Sequence, residues 1–134
     1  MILVDTSVWI EVFRRKGRGA SDPLHGVEFD DIVTCLPVIQ EVLQGLDSEA
    51  AHRTARDAML ALPVVESPLR LVVVEEAADL YRRARRAGLT VRSGVDCLIA
   101  ACALRNDLTV LHHDRDFGAL ARVSHLAARS IRKR

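Results

Sequence analysis

The chain has 134 residues, which suits one domain with a single core, and at 49% hydrophobic and 28% charged it has the composition of a folded, soluble protein. Its formal net charge is only +1, from 19 basic and 18 acidic side chains, so the overall balance does not announce a nucleic-acid partner. No apolar run approaches the roughly 18 residues needed to cross a bilayer. The N-terminus, MILVDTSVW, lacks a basic leader and meets an acid at its fifth residue, so it reads as a strand and not a signal peptide.

In chain order, Ile2-Leu3-Val4 is a short β-like run ending at Asp5. Thr6-Ser7 offers an N-cap to a helix with Trp9, Ile10 and Phe13 at helical spacing, ending in the basic, glycine-bearing stretch 14–19. Asp22-Pro23 marks a turn. Ile32 to Leu36 is a second β-like run, and Pro37 suits the first turn of a helix carrying Val38, Ile39, Val42 and Leu43 on its core side. An amphipathic segment runs from Ser48 to Leu62, and Val64-Val65 is a brief third strand. Leu71 to Ala87 has helical period, with Val74, Ala77, Ala78, Tyr81 and Ala84 on one face and Gly88 as its stop.

Ser93 caps a helix from about Gly94 to Arg105, so apolar between Cys97 and Leu104 that burial on most sides follows. Leu108 to Leu111 is the final clear strand, followed by His112-His113-Asp114-Arg115-Asp116-Phe117 and a short helix. Short apolar strands alternating with helices predict a three-layer α/β/α domain over residues 1–134, built on a short parallel central sheet. Cys35, Cys97 and Cys102 form an odd set without metal-type pairing, which points to reduced core thiols in a cytosolic protein.

Among the basic residues only Lys16 and Lys133 are lysine. Arginine clusters at Arg82, Arg83, Arg85, Arg86 and Arg92 and again in the tail Arg129, Arg132, Lys133, Arg134. A planar guanidinium fork matches phosphate oxygens, yet the same cluster is also what a solvated helix face looks like.

The acids are more informative. Ligands of parallel α/β sheets bind beyond the carboxyl ends of the strands. Asp5 follows the first strand, Glu41 lies on the helix after the second, Asp96 sits in the first turn of the buried helix, and Asp114 and Asp116 follow the last strand. Such an all-oxygen set suits Mg²⁺ or Mn²⁺, which can activate a water and stabilise the oxygens of a phosphodiester. Each acid also has a plain reading: Asp5 as a strand-end acid near a helix dipole, Asp96 as half of a capping box with Ser93, the others as solvated helix or loop residues. It is their order along the whole chain that points to a site.

The stretch Val4-Asp5-Thr6-Ser7-Val8-Trp9-Ile10 resembles the opening motif of PIN domains. The Glu41 helix, Ser93-Gly94-Val95-Asp96-Cys97-Leu98-Ile99-Ala100-Ala101 and Leu111-His112-His113-Asp114-Arg115-Asp116-Phe117 resemble the remaining motifs, in order and over nearly the full length. The resemblance is to the VapC branch. It implies an Mg²⁺- or Mn²⁺-dependent endoribonuclease acting on structured RNA such as tRNA loops, the toxin of a toxin–antitoxin pair. It also implies inhibition by a cognate VapB-type antitoxin, a homodimer within a larger assembly, and a cytoplasmic location without membrane attachment. Carried over to matching positions, Asp5, Glu41, Asp96 and Asp114 are the catalytic acids and metal ligands, with Asp116 beside them. The last motif varies within the family.

Arg92 and Arg115 flank acidic motifs and are candidates to hold RNA phosphates. His112-His113 abuts the site as a packed pair or a proton shuttle, and Trp9, Val12 and Phe13 read as core, or as an antitoxin groove if exposed. Thr6 and Ser7 read as caps, with a role near a metal-bound water also open. No phosphate-binding glycine loop is present, against NTPase or dinucleotide readings. An aspartate-nucleophile phosphatase wants a second acid at position 7, where Ser7 stands. A phospho-receiver wants a lysine after its last strand, and an inactive binding module of the PIN fold would be expected to have lost acids.

Overall fold

Every strand of the described chain runs parallel to its neighbours, in the order β3-β2-β1-β4-β5. The computed structural model describes residues 1–15 and 22–131. Along it run β1 (Ile2–Val4), α1 (Thr6–Arg15), a 3₁₀ turn (Phe29–Asp31), β2 (Ile32–Cys35), α2 (Leu36–Gln44), α3 (Glu49–Leu60) and β3 (Val64–Val65). There follow α4 (Leu71–Arg86), α5 (Gly94–Arg105), β4 (Thr109–His112), α6 (Arg115–Arg122) and β5 (Ala127–Ser130). The stretch 16–19, in which the first helix is predicted to end, lies outside the described residues, as do Arg132, Lys133 and Arg134.

The connections β1–α1–β2 and β2–α2–α3–β3 step one way along the sheet and β4–α6–β5 steps the other. Right-handed crossovers then place α1 to α3 on one face and α6 on the other. The packing agrees: α1 with α2 and α2 with α3 form one layer, while α4, α5 and α6 pack on one another to form the second. The predicted three-layer architecture is the one observed. The reversal of direction falls between β1 and β4, which pair with Leu3 beside Val110. A crevice opens at such a switch point beyond the strand ends.

The sheet interior is made by Leu3, Val4, Ile32, Val33, Cys35, Val110 and Leu111, all buried. Burying apolar area of this kind contributes about 25 cal/mol per Å². Helix α5 is buried from Asp96 through Ala103 apart from Leu98, as its unbroken apolar run requires. Small side chains at Ala100, Ala101 and Ala103 let its neighbours approach closely. All three cysteines are buried and free.

Two expectations need correction. Leu108 to Leu111 is not the final strand, because β5 continues the sheet beyond it, Val110 lying beside Ala128. Helix α4 is also turned from the predicted face: Val73, Ala77, Leu80 and Ala84 face the core, while Val74, Ala78 and Tyr81 are exposed. Among the described residues no helix is long and apolar enough to cross a membrane.

Candidate metal centre and nucleic-acid cleft

Asp5 ends β1 and caps α1. Its backbone carbonyl accepts from Val8 and Trp9, and its Oδ2 accepts from the Ser7 amide at 3.0 Å. The predicted caps, Thr6 and Ser7, are instead first-turn residues whose hydroxyls reach across the site. The Thr6 hydroxyl donates to Glu41 Oε1 at 2.9 Å, fixing the acid of α2 against α1. The Ser7 hydroxyl donates to Asp5 Oδ2 at 2.5 Å and accepts from the His113 amide at 3.0 Å. A serine thus ties the end of β1 to the end of β4. Neither link is readable from sequence, since the partners lie 35 and 106 residues away.

Asp96 lies in the first turn of α5, only 5% exposed. The predicted capping box is absent: Ser93 occupies the N-cap, but its side chain makes no cap bond. The end of α5 is held by Asp116, which accepts from the Arg92 amide at 3.1 Å through each oxygen and from the Ser93 amide at 3.0 Å. Asp114 caps α6 by accepting from the Asp116 amide at 2.9 Å. A carboxylate oxygen from each of Asp96, Asp114 and Asp116 lies within 4.8 Å of the others.

Like charges crowded out of water resist ionising together. Burial, then the charge of Asp5, then a bond shared with Asp116 push the Asp96 carboxyl up to about 9, and Asp114 and Asp116 add to it. Burial likewise raises Asp5, partly offset by the Ser7 bonds, with Glu41 pushing the same way as burial. Of the five predicted acids, Asp96, Asp114 and Asp116 form the close trio; Asp5 lies near enough for its charge to act on Asp96, and Glu41 near enough to act on Asp5.

Two oxygens identify what that place lacks. Asp5 Oδ1 and Asp96 Oδ2 are fully buried and accept no hydrogen bond. A buried carboxylate oxygen without a partner is costly unless something positive meets it. The donor set is all oxygen, carries high negative charge and includes two orphaned atoms. It fits a hard divalent cation.

The arginines are divided. Arg92 Nη2 lies 3.8 Å from Asp114 Oδ1 and Nε 3.9 Å from Asp116 Oδ1, with its side chain 59% exposed, so the attraction is weak and the fork stays open to solvent. Arg115 is exposed beside it and lines the same cleft. Arg83 bonds Asp79 and the Val123 carbonyl, and Arg85 lies over the Tyr81 ring, as on a solvated helix face. His112 is packed, not shuttling: its Nδ1 accepts from the Asp114 amide, its ring lies 5.3 Å from Phe117, and burial lowers its pKa. His113 Nδ1 lies 3.1 Å from Glu11 Oε2. Trp9 is buried and stacked on Phe13, so it offers no face to a partner.

Comparison with known proteins agrees with this geometry. The family profile described as PIN domain matches residues 2–123. A VapC ribonuclease of Mycobacterium bovis is 39% identical, covering 98% of this chain and 100% of the relative, and the ribonuclease VapC11 of Mycobacterium tuberculosis matches to the same extent. Among solved structures, VapBC-1 from nontypeable Haemophilus influenzae superposes with a TM-score of 0.73 at 16% identity, covering 99% of this chain and 100% of that one. The sarcin–ricin-loop-cleaving toxin VapC20 of Mycobacterium tuberculosis gives 0.65 at 21%, covering 94% and 98%. The strand order, the acids gathered at the switch point and the near full-length match lead to one conclusion: this chain belongs to the PIN-domain family, in its VapC branch.

Proposed function

We propose that the chain is a VapC-type ribonuclease toxin that cuts structured RNA internally with Mg²⁺ or Mn²⁺, and that a VapB-type antitoxin restrains it. The observation that carries this is the pair of buried, unpartnered oxygens on Asp5 and Asp96 within a cluster of five acids. Asp96, Asp114 and Asp116, together with Asp5 and Glu41, would hold the ion. A bound cation supplies positive charge and Lewis acidity toward the phosphodiester. Ser7 orients Asp5, Thr6 orients Glu41, and Asp116 anchors the start of α5 so that Asp96 faces the others. Arg92 and Arg115 bind the RNA backbone at the rim.

The VapC ribonucleases that the chain matches and the VapBC complexes that share its fold support the antitoxin partner. A homodimer is supported by the outer face of α4, where Leu71, Val74, Ala78 and Tyr81 are exposed at helical spacing. Pairing of two copies would bury that apolar stripe.

The test is cleavage of total cellular RNA with Mg²⁺, with Mn²⁺ and in chelator, with sequencing of the new ends. Discrete cuts in structured loops, lost in chelator, are expected. Soluble protein that leaves no new ends under any condition would refute the reading.

A further inference from the structure

Two of the carboxylates, Asp114 and Asp116, line a longer groove. On one side, a cleft of about 430 Å³ containing Asp114 and His112 continues through Arg92, Arg115 and Gly118 into one of about 600 Å³ that ends at Arg122. On the other side, it continues through His113 and Ser130 into a cleft of about 810 Å³ that nothing above employs. This last cleft lies between α1 and the end of β5. Its lining includes His25, His113, Arg129 and Glu11 over a floor containing Leu111 and Ile131.

We propose that this cleft is a base-binding subsite, which holds an unpaired nucleotide adjacent to the cut bond. The inference rests on the ribonuclease reading and extends it. The chemistry of the groove alternates along its length. Single-stranded RNA presents a base plane, then a phosphate, at each step, and proteins meet it with ring faces and cations. Here two imidazole rings and an apolar floor share a cleft with one exposed guanidinium, Arg129. Glu11 adds an acceptor suited to the amino and imino donors of a base edge, and its position is set by His113. His113 belongs to both clefts, so a base seated against it would have its phosphate turned toward Asp114. Such a subsite selects for nucleotides splayed out of a helix and so for loops.

His25 and Arg129 are exposed and lie outside the acidic cluster, so their replacement leaves the fold and the carboxylates in place. The experiment measures binding of a labelled, random-sequence single-stranded RNA by fluorescence anisotropy in chelator. It then maps cut sites in a hairpin library with a randomised loop, in Mg²⁺. His25→Ala and Arg129→Ala should each weaken binding about fivefold. His25→Ala should also flatten the base preference at one nucleotide beside the cut. Arg53→Ala, exposed on α3, should change neither. If the unmodified protein cuts the library while both variants keep its affinity and base preference, the subsite is refuted and the nuclease stands. If the unmodified protein cuts nothing, both readings fall together.

Discussion

The two ends of helix α5 both gather charge, and they do it in opposite ways. At its C-terminal end Arg105 and Asn106 are both partnered. Arg105 donates to Glu66 Oε1 at 3.1 Å and Glu76 Oε1 at 2.9 Å, while Asn106 donates to Glu66 Oε2 at 3.0 Å and the Cys102 carbonyl at 2.8 Å. At its N-terminal end Asp96 faces Asp5, Asp114 and Asp116, and oxygens on Asp96 and Asp5 are left without partners. A helix dipole favours an acid at its start and a base at its end, so each end follows the same local rule. What differs is the company. The C-terminal network closes on itself and holds the loop after β3 against α5, whereas the N-terminal cluster is incomplete by design of its contents. The paired charges hold the fold together, and the unpaired oxygens are where the proposed cation would sit.

Substitutions can break that contrast, and the largest effect falls at the unsatisfied end. Asp96→Asn removes one oxygen ligand and should lower RNA cleavage on the order of 100-fold or more, as should Asp5→Asn. Asp57→Asn, exposed on α3, should leave cleavage unchanged. In chelator, both active-site variants should unfold at the same or a higher temperature than the unmodified chain. Loss of several degrees would make these acids structural caps.

The next effect is a dependence on pH. The Asp96 carboxyl is held up to about 9, against 3.8 in an unconstrained chain. Between those values the folded state keeps a proton that the unfolded state has released, so metal-free stability falls as pH rises. Asp96→Asn cannot lose that proton. Its advantage over the unmodified protein should be absent near pH 4 and grow steadily toward pH 9. Urea titrations across that range measure it, and a constant difference would contradict the crowding.

At the satisfied end, Arg105→Ala should reverse the pattern by lowering the unfolding temperature while sparing cleavage. Equal loss of activity would mean that the two ends are coupled. The smallest effect is at the rim. Arg92→Ala and Arg115→Ala should each reduce the slope of log K against log salt by about 1, since one fewer counterion is released. An unchanged slope in both would remove them from the RNA path.

The acids are legible because Asp5, Asp96, Asp114 and Asp116 follow a strand or open a helix, with Glu41 on the helix after the second strand, in a sheet that converges its chain there. Asp5 and Asp96 each have a plain reading taken singly, and it is the order of the acids along the chain that points to a site. What holds them was not legible. Thr6 against Glu41 and Ser7 against His113 are contacts between residues far apart in sequence, and Asp116 looks like a loop acid until it is seen gripping the Arg92 and Ser93 amides. Strand β5 was missed because Ala127–Ser130 is mostly exposed and carries no alternating pattern, as an edge strand can afford. The face of α4 was mistaken for a related reason. It bears two apolar stripes one residue apart, Val73-Ala77-Leu80-Ala84 and Val74-Ala78-Tyr81, and periodicity alone cannot say which is buried. His25 and Arg129 carry no local motif at all.

The pairing of β1 with β4 sets when this site can exist. Ile2 lies beside Thr109 and Leu3 beside Val110, so the middle of the sheet joins segments that begin more than a hundred residues apart. Closing so long a loop is entropically demanding, and folds dominated by such contacts form slowly. The Ser7 bridge from Asp5 to the His113 amide can form only after that closure, and so can the approach of Asp5 to Asp96. Partly folded chains, with helices formed but the central strands apart, therefore lack Asp5 and Glu41 beside Asp96, Asp114 and Asp116. Recovery of cleavage during refolding should keep pace with completion of the sheet and lag behind the appearance of helix.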